Sequence, residues 1–199
     1  MIDEKSNLTT IDALIQRKQP FAVYRVPGEK YPRLLTEDVG AVRLIFDLKE
    51  LNGQRGFVIA PFRPNETCPI LLIQSNGPGQ PLLLADDADA FPRDIPSTDY
   101  PSCSEEYAEC FRTFISALRD KTFEKLVLSR KLTIGKPSAF SPSLAFRAAC
   151  QRYIHSYIYL CYTPQTGIWL GSTPEIILSG EKDDWHTVAL AGTQPPPDG

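Results

Sequence analysis

The stretch SPSLAFRAACQRYIHSYIYLCY, residues 141–162, decides the fold. Its first part reads as a helix capped by Ser141 or Ser143, because a serine hydroxyl there accepts a backbone N–H of the first turn. Its last part, Tyr157 to Tyr162, reads as a strand. GIWLGS, PEIILSG and HTVALAG follow as further short strands with polar or glycine breaks between them. Upstream, SEEYAECFRTFISALRD begins at Ser104, with Glu105 and Glu106 in the first turn, where the helix dipole favours acids. Tyr107, Cys110, Phe111, Phe114, Ile115 and Leu118 recur at three and four, which predicts one buried helical face. KLVLSRKLTI (Lys125 to Ile134) reads as a strand after it. Helices interleaved with strands in a mostly antiparallel pattern predict an α+β fold.

The N-terminal part is built of shorter pieces. Thr10 precedes IDALIQRKQ, whose Ile11, Leu14 and Ile15 share a face, predicting a short capped helix. FAVYRVP predicts a strand ended by Pro27 and Gly28, whereas AVRLIFDLKEL (Ala41 to Leu51) fits strand or helix equally. GFVIAPF and CPILLIQS predict buried strands. Asn76 to Ser102, rich in Pro, Gly and Asp, reads as a long surface loop or a linker. The organisation expected is residues 1–100 as an N-terminal lobe and 101–199 as the beginning of a second domain.

Composition narrows the class. With 42% hydrophobic and 23% charged residues, the 199-residue chain matches ordinary globular proteins. A net charge of −3 and a pI near 5.5 offer no basic face for nucleic acid. No run of eighteen apolar residues predicts a membrane helix, and MIDEKSNLTT does not fit a secretory signal. Cys68, Cys103, Cys110, Cys150 and Cys161 form no CxxC pair, and His155 and His186 stand in no ligand cluster. Reduced thiols in a cytoplasmic protein are the reading this favours.

Two residues can carry chemistry. Lys125 lies between apolar neighbours, and a desolvated lysine becomes a general base. Glu175 follows Pro174 and precedes IILS, where a carboxyl with raised proton affinity acts as a general acid. Taken alone, each pattern fits better a residue at a strand's mouth that reaches water. Ala191-Gly192-Thr193, taken alone, is an ordinary strand-end turn.

Together the segments change weight. EKLVLSRKL, WLGSTPEIILS and ALAGT, in this order, resemble the signature blocks of the chorismate-binding enzymes: the anthranilate, aminodeoxychorismate, isochorismate and salicylate synthases. The resemblance covers roughly Ser104 to Thr193. It implies the fold of anthranilate synthase component I, with sheets stacked face to face, helices outside and the active site in a cleft between lobes. Within the family the isochorismate branch is the most similar. It carries lysine at the place of Lys125, where the ammonia-using branches usually carry glutamine. It also separates base from acid by fifty positions, as Lys125 and Glu175 are here. Aminodeoxychorismate synthases tend to place a lysine nucleophile where Ala191 stands.

The resemblance therefore implies an isomerase acting on chorismate, with Lys125 as base and Glu175 as acid. Ala191, Gly192 and Thr193 would lie against the substrate, and the product would feed menaquinone or siderophore synthesis. The rivals are salicylate synthase, which also removes pyruvate, and a non-catalytic chorismate-binding module. Family members hold the substrate carboxylate through magnesium bound by glutamates. Those glutamates are expected beyond Gly199, because the chain stops six residues after Thr193 and its GTQPPPDG lacks the arginines that often follow the block. The expectation is an incomplete chain, inactive alone, whose uncovered apolar surface offers a route to self-association.

Overall fold

Antiparallel strands whose side chains alternate between two apolar faces need a cover on each face. In the computed structural model, which describes residues 8–36, 42–83, 105–131, 133–136, 138 and 140–188, that requirement builds three layers. The chain divides into two units: Met1–Asp87 with Ser141–Gly199, and Ala88–Phe140.

The first unit opens with α1 (Leu8–Gln16), β1 (Phe21–Arg25) and β2 (Arg33–Thr36), followed by β3 (Arg43–Ile45) and a 3-10 turn (Leu48–Leu51). Then come β4 (Gly56–Ile59), β5 (Ile70–Gln74) and β6 (Gln80–Pro81). The second unit holds α2 (Glu105–Arg119). The first unit resumes with α3 (Pro142–Arg152), β7 (Tyr157–Thr163), β8 (Gly167–Thr173), β9 (Ser179–Glu181) and β10 (Asp184–His186). The main sheet has the order β6-β2-β1-β7-β8, a second sheet the order β3-β5-β4, and β9 pairs with β10; all pairings are antiparallel.

The pairing of β1 with β7, Phe21 opposite Tyr162 and Ala22 opposite Cys161, sets the two faces. Phe21, Val23, Ile158 and Leu160 point to α1 and α3 and pack with Ile11, Leu14, Phe146 and Cys150. Each such large side chain stabilises the unit by about 1.5–3 kcal/mol. Ala22 and Cys161 point the other way, onto Leu71 and Ile73 of β5. The unit is α+β with antiparallel sheets, as the sequence pattern predicts.

Polar ties join the layers. Ser141 caps α3 by accepting the N–H of Leu144, and Ser143 donates to Asp12 of α1 at 2.7 Å. Arg25, 6% exposed, reaches the end of α3, where it donates to the carbonyls of Cys150 and Tyr153, both at 2.6 Å. A cation there meets the negative end of the helix dipole.

Several expectations need correction. α1 is already helical at Leu8, so Thr10 sits inside it and is not its cap. AVRLIFDLKEL is both things in turn: β3, then a 3-10 turn started by an Asp47–Glu50 capping box. The long loop contains β6, whose Pro81 is tolerated on an edge strand because no ladder N–H is needed there; residues 84–102 of that loop lie outside the described residues. α2 buries none of its residues: Cys110 and Phe111 are exposed and Tyr107, Phe114, Ile115 and Leu118 half-buried. It is the sole regular element among the described residues of its unit, which offers no sheet to pack on. KLVLSRKLTI pairs with no strand among the described residues. It runs back along α2, bringing the Arg130 guanidinium 5.8 Å from the Tyr107 ring. Of PEIILSG only Ser179 and Gly180 are in a strand, and of HTVALAG only His186, residues 189–192 lying outside the described ones. Ile177 is 88% exposed.

Candidate active-site segments

β8 reaches its last rung at Thr173, opposite Tyr157. Pro174 follows, and a proline has no N–H with which to extend the ladder. The next donor, the N–H of Glu175, turns back to Thr173 Oγ1 at 3.1 Å. The chain thus leaves the sheet in a side-chain-closed turn, with the Glu175 carboxyl exposed.

Beside this strand end lies an open basin of about 480 Å3, lined by Phe57, Ile59, Tyr157, Tyr159 and Thr173. Its aromatic wall is continuous: Tyr24 stacks on Tyr157 at 5.8 Å, and Tyr159 lies between Tyr157 and Phe57. Burial pushes the Tyr157 phenol well above its usual range, and nearby Tyr24, Cys161 and Tyr159 push the same way. Burial, then Cys161, raises Tyr159 too. Both phenols remain protonated at neutral pH, so they face the basin as neutral hydroxyls. At the other end of β7 a more apolar cleft of about 300 Å3 is lined by Ile59, Leu71, Tyr159, Cys161 and Trp169.

Lys125 belongs to the second unit and Glu175 to the first. Leu126 and Leu128 are half-buried, while Lys125, Val127 and Ser129 are exposed, so the alternation read from the sequence persists with the lysine on the outer side. Among the described residues the apolar surroundings expected around the two ionisable side chains are not present, and both are exposed. Ala191, Gly192 and Thr193 lie outside the described residues.

The profile of a family described as Chorismate binding enzyme matches residues 85–198, more than half of the chain. The chain belongs to the chorismate-binding enzyme family. No curated protein and no solved structure matches it. The span shared with the chorismate-binding enzymes contains Lys125, Thr173, Glu175 and residues 191–193, together with α3, β7 and β8.

Magnesium, which the family implies, needs several carboxylate oxygens at one point. Among the described residues no group of three or more Asp, Glu, His or Cys side chains comes together in that way. These residues do not fit the ion. No helix among them is long and apolar enough to cross a membrane.

Sequence reasoning missed Thr173. The available signal was a hydroxyl residue two positions before a carboxylate, with proline between them: Thr173-Pro174-Glu175.

Proposed function

We propose that this chorismate-using protein is an isochorismate synthase, with residues 101–199 belonging to its catalytic domain. The observation that supports this reading is a lysine at 125 with Glu175 fifty positions on, inside the span shared with the family. Lys125 takes a proton from water as the water oxygen forms its bond to C2 of chorismate. The ring double bonds shift, the C4–O bond breaks, and Glu175 delivers its proton to the departing hydroxyl, which leaves as water. One water enters and one leaves, so substrate and product are isomers. A base and an acid in opposite protonation states at one pH are what this exchange demands. No step is assigned to magnesium.

The exposure of both side chains favours a second reading, a chorismate-binding module without turnover. Product analysis separates the two. The full-length natural protein is incubated with chorismate and magnesium beside its Lys125→Ala and Glu175→Ala variants. Isochorismate from the parent, lost in both variants, supports the synthase. Salicylate with pyruvate moves it to the neighbouring branch. Bound but unchanged chorismate leaves the binding module.

A further inference from the structure

The Glu175 backbone is tied back to a side chain of β8. Three observations converge on Thr173. Its backbone is held in the last rung of β8 against Tyr157, so its Cα cannot drift. Its β-branched side chain has few χ1 choices and is half-buried, lining the basin together with Tyr157 and Tyr159. That Oγ1 accepts the N–H of Glu175 across Pro174, whose ring fixes its own φ. The link from sheet to Glu175 thus has one stiff residue and one hydrogen bond.

The same bond contributes little to folding. The Glu175 N–H is exposed, so water takes the place of Oγ1 at small cost when the hydroxyl is removed. What is lost is direction, because Glu175 then swings about Pro174.

We propose that Thr173 is a positioning residue that aims Glu175 through the hydrogen bond its hydroxyl oxygen accepts from the Glu175 backbone N–H. The proposal rests on the reading of Glu175 as the general acid. It assigns Thr173 no contact with substrate.

The test is steady-state kinetics of the full-length natural protein with chorismate and magnesium, for Thr173→Val, Thr173→Ser and Glu175→Gln. Valine keeps the shape and removes the acceptor, whereas serine keeps the acceptor. Expected is a fall in kcat of about 10- to 100-fold in the valine variant, the scale of a misaimed catalytic group. KM should stay within about two-fold and serine should restore most of the rate. Should the valine variant not fold, Thr173→Ala removes the same acceptor without the branched side chain and takes its place. A valine variant with parental kcat, beside an inactive Glu175→Gln, overturns this proposal and leaves the acid standing. A loss that serine does not rescue overturns it as well, since side-chain shape would then matter and not the bond. An active Glu175→Gln variant, or a parent that does not turn chorismate over, sinks the acid and the positioning role together.

Discussion

The Tyr159 ring lies directly over Gly171, its partner on the neighbouring strand, so close that a Cβ on Gly171 would approach the ring to within 3.0 Å. Gly171 opens the Gly-Ser-Thr-Pro-Glu run, and the glycine is there to admit the ring. Phe57 and Tyr157 flank Tyr159 at 6.0 and 6.4 Å, so a Cβ on Gly171 would have to push the ring toward the open basin. Gly171→Ala should therefore destabilise the unit by about 1–3 kcal/mol, the usual cost of overpacking. In a Tyr159→Ala background the same change should cost little. Urea unfolding of the four proteins checks this; equal costs in both backgrounds would show that the ring is not the obstacle.

Arg25 is a second buried dependency. Its guanidinium donates to the carbonyls of Cys150, Tyr153 and Ser156, the last at 3.2 Å, in the turn where α3 gives way to β7. The Tyr153 carbonyl also accepts the N–H of Ser156 at 3.1 Å, while the last carbonyls of the helix lack an intrahelical donor. Arg25→Met keeps much of the apolar stem and removes every donor. A loss of about 2–4 kcal/mol is expected in urea unfolding, as for breaking a buried charged hydrogen-bond set. Retention of parental stability would mean that water replaces the guanidinium there.

Stability should also depend on alkaline pH through the buried thiols. Burial raises Cys150 from 9.0 to about 11 and Cys161 from 9.0 to about 12. A thiol whose folded value is raised stabilises the fold fully below the unfolded value and loses that contribution as pH climbs through the folded one. Above about pH 9 the unfolded chain sheds these protons while the folded one keeps them, so unfolding grows easier from there to about pH 12. Thermal melts at intervals from pH 7 to 11 should fall more steeply for the parent than for a Cys150→Ala, Cys161→Ala double variant. Iodoacetamide on the folded protein at pH 8 should label the exposed Cys68 and Cys110 and spare the buried pair. Early labelling of Cys161 would contradict the sandwich interior assigned to it.

How far the sequence reading reached follows from what each segment needs. Phe21–Arg25, Ile70–Gln74 and Tyr157–Thr163 were legible because strands covered on both faces are apolar at nearly every position. The four residues of β2 and the two of β6 sit beside Pro32 and Gly79, and a run that short leaves no period to count. KLVLSRKLTI has the alternation of a strand, but alternation does not supply a neighbour to bond with, and none is found among the described residues. The adjacency of β1 and β7 joins residues as distant as Phe21 and Tyr162, which no local pattern reveals. For the site, Lys125 and Glu175 stood out through resemblance, since their own neighbourhoods read as surface. Thr173 emerged only when the turn that closes on Glu175 could be seen.

The proposed choice of water over ammonia rests on Lys125 and gives the last prediction. Water is a weak nucleophile that needs a base at the moment of attack, whereas neutral ammonia is nucleophilic enough to attack first and lose its proton afterwards. Lys125→Gln keeps length and a polar end but removes the base. In the full-length natural protein it should lower isochorismate formation by about 100- to 10,000-fold, the usual worth of general-base catalysis. Chorismate affinity, read by calorimetry, should stay close to the parent's, because an exposed side chain that acts on water adds little to ground-state binding. Supplying ammonium to the parent should yield no aminated product. An aminated product from the parent would move the protein out of the water-using branch, and an unaffected Lys125→Gln variant would place the base elsewhere in the chain.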